Sequence, residues 1–156
     1  MKETINSSRL EGVTLVVETD SGTETYDSQF LVAALLVFIA RGSGTIESDE
    51  TAEMLQLIES HFHLQGSKSL ELLMRAMSEM AEKPGLEQLL VELGKTLADS
   101  QKEEIALMAL KVVAADGTRQ AAEMGNFYQV VEAVGISPEI VHRAFDRYFA
   151  ETQPGS

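Results

Sequence analysis

A helix, a glycine loop and a second helix start occur twice in this chain, and that repetition constrains the fold more than any other feature of the sequence. The first copy runs through Ala33-Ala34-Leu35-Leu36-Val37-Phe38-Ile39-Ala40, then Ser43-Gly44-Thr45, then Glu50. The second runs through Ile105-Ala106-Leu107-Met108-Ala109-Leu110-Lys111-Val112-Val113, then Asp116-Gly117-Thr118, then Glu123. Ser43 aligns with Asp116 and Glu50 with Glu123, so the two loops keep the same spacing of seven. After a one-residue gap, His63-Leu64-Gln65 aligns with Gly135-Ile136-Ser137, and Arg75 with Arg147. Each unit is then an apolar helix, a loop and two amphipathic helices. An apolar helix must bury its whole circumference, so the two should pack side by side.

The helical period begins at Ser28. Phe30 to Ala40 is apolar nearly all round and predicts a central helix. Ser48 is a suitable cap for a second, with Asp49 and Glu50 in its first turn, and Met54, Leu57, Ile58 and His61 form its apolar stripe. Leu70, Leu73, Met74 and Met77 mark a third, stopped near Lys83-Pro84-Gly85. Leu86, Leu89, Leu90, Leu93 and Leu97 mark a fourth, which bridges the units. Ser100-Gln101-Lys102-Glu103 reads as a capping box opening the apolar fifth. Met124, Phe127, Val131 and Val134 make the inner face of a sixth. Ser137-Pro138 opens a seventh, with Ile140, Val141, Ala144, Phe145, Tyr148 and Phe149 expected to face inward. The expected fold class is all-α: a single-domain bundle of about seven helices with internal duplication over residues 28–151, closed by a tail at 152–156.

Residues 1–27 differ. Val13-Thr14-Leu15-Val16-Val17-Glu18 is β-branched, Asp20-Ser21-Gly22 is turn chemistry, and Thr23-Glu24-Thr25-Tyr26 follows. This predicts a short extended or hairpin N-terminal arm; a flexible tail is the alternative.

Composition removes several classes of function. Of 156 residues none is cysteine, which excludes disulfides, thiolate metal sites and thiol nucleophiles, and is compatible with a reducing, cytoplasmic setting. Acidic residues outnumber basic ones 25 to 12, for a formal charge of -13. Such a surface repels phosphate backbones, so no nucleic-acid partner is expected. No secretory signal is expected at the N-terminus. The apolar run of Phe30 to Ala40 falls short of the roughly 20 residues that span a bilayer, so no direct membrane insertion is expected. Nucleophile elbows, phosphate loops and dinucleotide fingerprints are absent, so neither an enzyme nor an organic cofactor is expected.

The strongest chemical candidate is Asp116-Gly117-Thr118 with Glu123. Gly117 allows a left-handed reversal, and the two carboxylates suit one hard divalent cation such as calcium or magnesium. The same residues also suit a plain structural role, in which glycine ends one helix and the acids complement the start of the next. The loop at Gly44 has Ser43 in place of Asp116, and Glu47, Asp49, Glu50 and Glu53 crowd the helix start behind it. If the loops meet in space, these acids could supplement Asp116 and Glu123; otherwise they form a solvated face. His61 falls on an apolar stripe and reads as a partly buried core histidine. Glu139 and His142 have the Glu-x-x-His spacing of di-metal bundles, but the second motif such sites need is missing. Met74, Met77 and Met80 recur every third residue, either filling the core or forming an adaptable interaction surface.

From about Phe30 to Tyr148 the chain resembles the tellurite-resistance TerB-like family of all-helical bacterial proteins. The matching residues are Ala114-Ala115-Asp116-Gly117 and Glu123, then Ile39-Ala40, Gly44, Ile46 and Glu50, then the hinge Val134-Gly135-Ile136-Ser137. The resemblance implies a seven-helix cytoplasmic protein with a divalent-cation site made by the acids of the pattern. It also implies a role in chemical stress and tellurite resistance beside membrane-associated protein partners, without catalysis. Ser43 departs from the pattern, which favours aspartate there, and so removes one expected ligand. The sequence thus leads to a cation-binding module with Asp116 and Glu123 as primary ligands and Glu47, Asp49 and Glu50 as supplements. The alternative is a metal-independent helical protein-interaction or homodimerisation module.

Overall fold

The computed structural model describes residues 5–11, 14–41, 46, 48–80, 86–115 and 120–152. Three strands precede seven helices: β1 (Ile5–Glu11), β2 (Thr14–Thr19), β3 (Gly22–Asp27), α1 (Ser28–Ala40), α2 (Ser48–Phe62), α3 (Gly66–Met80), α4 (Leu86–Thr96), α5 (Asp99–Ala115), α6 (Gln120–Val134) and α7 (Pro138–Thr152). The all-α bundle with an N-terminal arm is therefore the fold of this chain.

The arm is a three-stranded antiparallel sheet in the order β1-β2-β3. Its β2–β3 hairpin turns at Asp20-Ser21, as the sequence suggests, with Thr19 opposite Gly22. Gly22 takes a φ of 134°, a backbone state open to glycine. The Thr19 hydroxyl accepts from the Ser21 amide at 3.2 Å and donates to the Gly22 carbonyl at 2.9 Å. The partner strand β1 carries no apolar alternation and is the element the sequence did not reveal. Its Leu10 sits opposite Leu15, which in turn sits opposite Tyr26, and this row faces the helices. Ser8 on the same face donates to the Glu92 carboxylate of α4 at 2.7 Å, which Lys95 also meets at 3.1 Å. Glu92 is thus a buried carboxylate satisfied from both sides.

Asp27 caps α1, its carboxylate accepting from the Gln29 amide at 2.8 Å. From Phe30 to Ala40 every α1 side chain except Phe38 is buried. In α5, Ile105 to Leu110, Val112 and Val113 are buried as well. These two helices pack against each other at the centre, with α3 laid along α1 and α7 along α5. α2 and α6 each pack against both central helices, as a pseudo-two-fold relation between the halves requires.

The copies share fine detail. α2 and α6 each have 15 residues, as do α3 and α7. After α2 the Leu64 amide donates back to the Glu59 carbonyl at 3.2 Å, and after α6 the Ile136 amide donates back to Val131 at 2.9 Å. These are the six-to-one bonds of helix ends closed by a left-handed residue. That residue is His63 in the first copy, at φ 57°, and Gly135 in the second, at φ 78°.

Several side chains depart from the sequence expectation. Leu70 and Phe149 are exposed, because α3 turns Leu72, Leu73 and Ala76 inward and α7 turns Ile140 and Ala144 inward, and Met74, for which the sequence leaves core and surface both open, is exposed as well. The fifth helix opens at Asp99, with the Gln101 side chain accepting from the Ala98 amide at 2.8 Å. Only the back-bonding half of a capping box forms, two residues earlier than Ser100-Glu103, since Ala98 has no side-chain acceptor, and Glu103 is left for the arginines of α7. On α4, a Cβ at Gly94 would lie 1.9 Å from the Val134 carbonyl oxygen, so only glycine lets α4 reach the end of α6.

Candidate functional site

The helix ends that flank the two loops are held by contacts between the halves. Glu53, near the start of α2, shares one cleft with Ala114 and Ala115 at the end of α5. Reciprocally, Asn126, near the start of α6, donates through Nδ2 to the Phe38 carbonyl at the end of α1, at 2.8 Å. Glu53 and Asn126 are equivalent residues of the repeat, each three after Glu50 or Glu123. The starts of α2 and α6 and the ends of α1 and α5 therefore gather at one end of the bundle. Both acidic helix starts belong to that end, while the loops themselves lie outside the described residues.

At that end, Glu50 and Glu123 are both 0% exposed. Each stands four residues before a fully buried apolar residue, Met54 on α2 and Phe127 on α6, which places it on the inward stripe. A surface acid complementing a helix dipole would remain solvated. A carboxylate taken out of water costs several kcal/mol unless charge or hydrogen bonds compensate it. Two of them at equivalent positions of a duplicated unit make the most unusual chemical feature among the described residues.

The other expected ligands divide. Asp116, Gly117, Gly44 and Glu47 lie outside the described residues, and Asp49 lies in the first turn of α2 with its side chain outside them. Among the described residues no group of three or more acidic or histidine side chains is gathered as a metal-ligand set. The donor chemistry nevertheless suits a hard cation, since glutamate offers the oxygens that calcium and magnesium take.

Beside this end lies a cleft of about 520 Å³ between α2, α5 and α7, lined by Glu53, Gln56, Lys111, Tyr148 and Glu151 among others. Lys111 pairs with Glu151 across it at 3.2 Å, so the one ammonium there is held by an acid.

The methionines of α3 separate. Met74 is 56% exposed, Met77 is partly buried against the core, and the Met80 side chain lies outside the described residues. His61 is half-buried with its ring edge-on to Phe62 at 4.7 Å, and burial holds its pKa below the ordinary value, favouring the neutral imidazole. His142 is exposed and meets Asp146 at 3.5 Å on the outside of α7. The sequence pairs Glu139 with His142, but the neighbour His142 meets is Asp146.

Among the described residues, no helix is long and apolar enough to cross a membrane. A family model described as tellurite resistance protein TerB matches residues 29–146, from the first turn of α1 to the middle of α7. No curated protein and no solved structure matches the chain. The match covers far more than half of the sequence, and the chain belongs to the TerB family.

Proposed function

We propose that this TerB-family chain is a non-catalytic, cytoplasmic module that binds a divalent cation at the end of the bundle where α2 and α6 begin. The observation that carries this reading is the complete burial of Glu50 and Glu123 at equivalent positions of the two halves. Glu123 with Asp116 would provide the primary oxygens, and Glu47, Asp49 and Glu50 the supplementary ones. When bound, a hard cation would supply positive charge against the buried carboxylates and tie the start of α2 to that of α6. The resident ion would be calcium or magnesium, because the donors are oxygens and the chain has no thiolate. Family membership supports a role in the response to chemical stress of the tellurite type, beside membrane-associated protein partners.

The test is the thermal melt of chelator-stripped protein with and without millimolar calcium or magnesium. A ligand at 100 times its Kd stabilises the folded state by about 2.7 kcal/mol, which is roughly 5–10 °C for a domain of this size. Glu123→Gln and Asp116→Asn should abolish that rise. A metal-induced rise that survives both substitutions would sink the ligand assignment, and no rise at all would sink the cation reading.

A further inference from the structure

An apolar groove of about 360 Å³ opens between the second half of α6 and the first half of α7, away from the Glu123 end of α6. Tyr128 and Val131 line one wall, Val141, His142 and Phe145 the other, and Ile136 lies at the base. Its surface is backed by a chain of rings. Buried Phe127 contacts Tyr128 at 5.4 Å and Phe145 at 6.3 Å, and Phe145 stacks on Phe149 at 6.2 Å. Tyr128 is 54% exposed and Phe149 52%, so two aromatic rings held from behind by the core stand at the surface. Rigid, partly exposed aromatic side chains of this kind are the usual anchors of protein interfaces.

Acidic groups outnumber basic ones around the groove, the Lys102 ammonium donating to the Gly135 carbonyl at 3.2 Å beside its base. The arginines of α7 turn the other way: Arg143 meets Glu103 at 2.8 Å, and Arg147 meets Glu103 at 2.9 Å and Glu104 at 2.6 Å, all on α5. The groove edge of α7 is left with Glu139, His142 and Asp146, which follow one another at helical spacings of three and four. Across the groove, Glu132 follows Tyr128 by four residues on α6. An apolar floor between acidic rims complements a helix with an apolar stripe flanked by lysine or arginine. The same rims oppose an anionic lipid surface, and the formal charge of -13 opposes a second copy of this chain.

We propose that the α6–α7 groove is a docking site for a basic amphipathic helix of a partner protein. The site is independent of the cation-binding end, so either can fail alone.

The probe is a synthetic helical peptide with leucine on one face and lysine on the other, titrated into the full chain and followed by backbone amide shifts and by anisotropy. Shifts should cluster on Tyr128, Val131, Val141, Phe145 and Phe149, and the affinity should fall as salt rises. The Tyr128→Ser/Phe149→Ser variant should bind at least tenfold more weakly, while Leu70→Ser/Met74→Ser on α3 should bind as the parent does. Glu132→Lys/Asp146→Lys tests the rim without touching any ring, and should weaken binding in low salt only. Equal binding of a leucine–glutamate peptide, or shifts centred on Leu70 and Met74, would overturn the proposal. So would preference for phosphatidylglycerol vesicles over the peptide, or self-association that Phe149→Ser abolishes.

Discussion

The two halves of the bundle share a skeleton and differ in how each closes it. Both have a buried central helix, a glutamate buried at the start of the next helix, and a left-handed residue at that helix's end. The second half uses glycine for the left-handed residue, where the first uses His63. The outermost helix also reaches its central helix differently. Arg75 of α3 stands 4.7 Å over the Phe30 ring of α1, whereas Arg147 of α7 pairs with Glu103 and Glu104 of α5. The same position thus performs a cation–π contact in one copy and an ionic one in the other. What both copies keep is the buried glutamate, a polar group retained in the core in duplicate, and hence the place to look for function.

The strongest way to disturb the comparison is through α4, whose main helical partner is α6 of the second half. The Cβ of Gly94→Ala would meet the Val134 backbone at 1.9 Å, and a backbone oxygen cannot rotate aside as a side chain can. The expected cost is about 2–3 kcal/mol, or roughly 5–10 °C in a thermal melt. Hydrogen exchange should show protection lost first at the end of α6, with α2 and α3 little changed. Uniform loss across both halves would show that they unfold as one unit.

Exchanging the left-handed residues sharpens the comparison at smaller amplitude. A left-handed backbone costs a residue with a Cβ about 1–2 kcal/mol. Gly135→Ala should therefore lower the melting temperature by roughly 2–6 °C. The cost comes from φ alone, since the nearest group to the new methyl would be Lys102 Nζ at 3.9 Å. His63→Gly should raise it by about 1–3 °C, the relief being offset by the greater freedom of glycine in the unfolded chain. Opposite signs at equivalent positions would confirm that both helix ends need the same backbone state.

Much of this was legible in the sequence, and the misses share a cause. The duplication, the seven helices and the hairpin at Asp20-Ser21 follow from spacing and turn chemistry, which are local. The burial of Glu50 and Glu123 was also available from spacing, because each lies four residues before Met54 or Phe127 on an inward stripe. Their charge instead suggested cation ligands or acids complementing a helix start, so residue type overrode position. Leu70 and Phe149 show the converse, apolar residues assigned inward by type and left outside by the packing of α3 and α7. Gly94 gave no signal at all, because a close approach between helices belongs to tertiary structure. Strand β1 gave none either, since backbone pairing with β2 holds it and apolar alternation does not.

The smallest expected effect separates the two arginines. Arg147→Met removes an ionic contact at a partly exposed site, and Arg75→Met a cation–π contact, so each should lower the melting temperature by about 1–3 °C. Their dependence on conditions should differ. Hydrogen bonds from Arg147 and then Arg143 hold the Glu103 carboxyl below its ordinary value of 4.5. A carboxylate depressed in the folded state contributes stability above the unfolded value and loses it as pH falls through the folded one. The penalty of Arg147→Met should therefore shrink as pH falls below that ordinary value, and in roughly 1 M salt, which screens exposed ion pairs. A contact with the Phe30 ring involves no carboxylate, so the cation–π part of the Arg75→Met penalty should persist at low pH. Equal loss of both penalties at pH 3 would mean that acid loosens the whole bundle, and the two contacts would then have to be compared by salt alone.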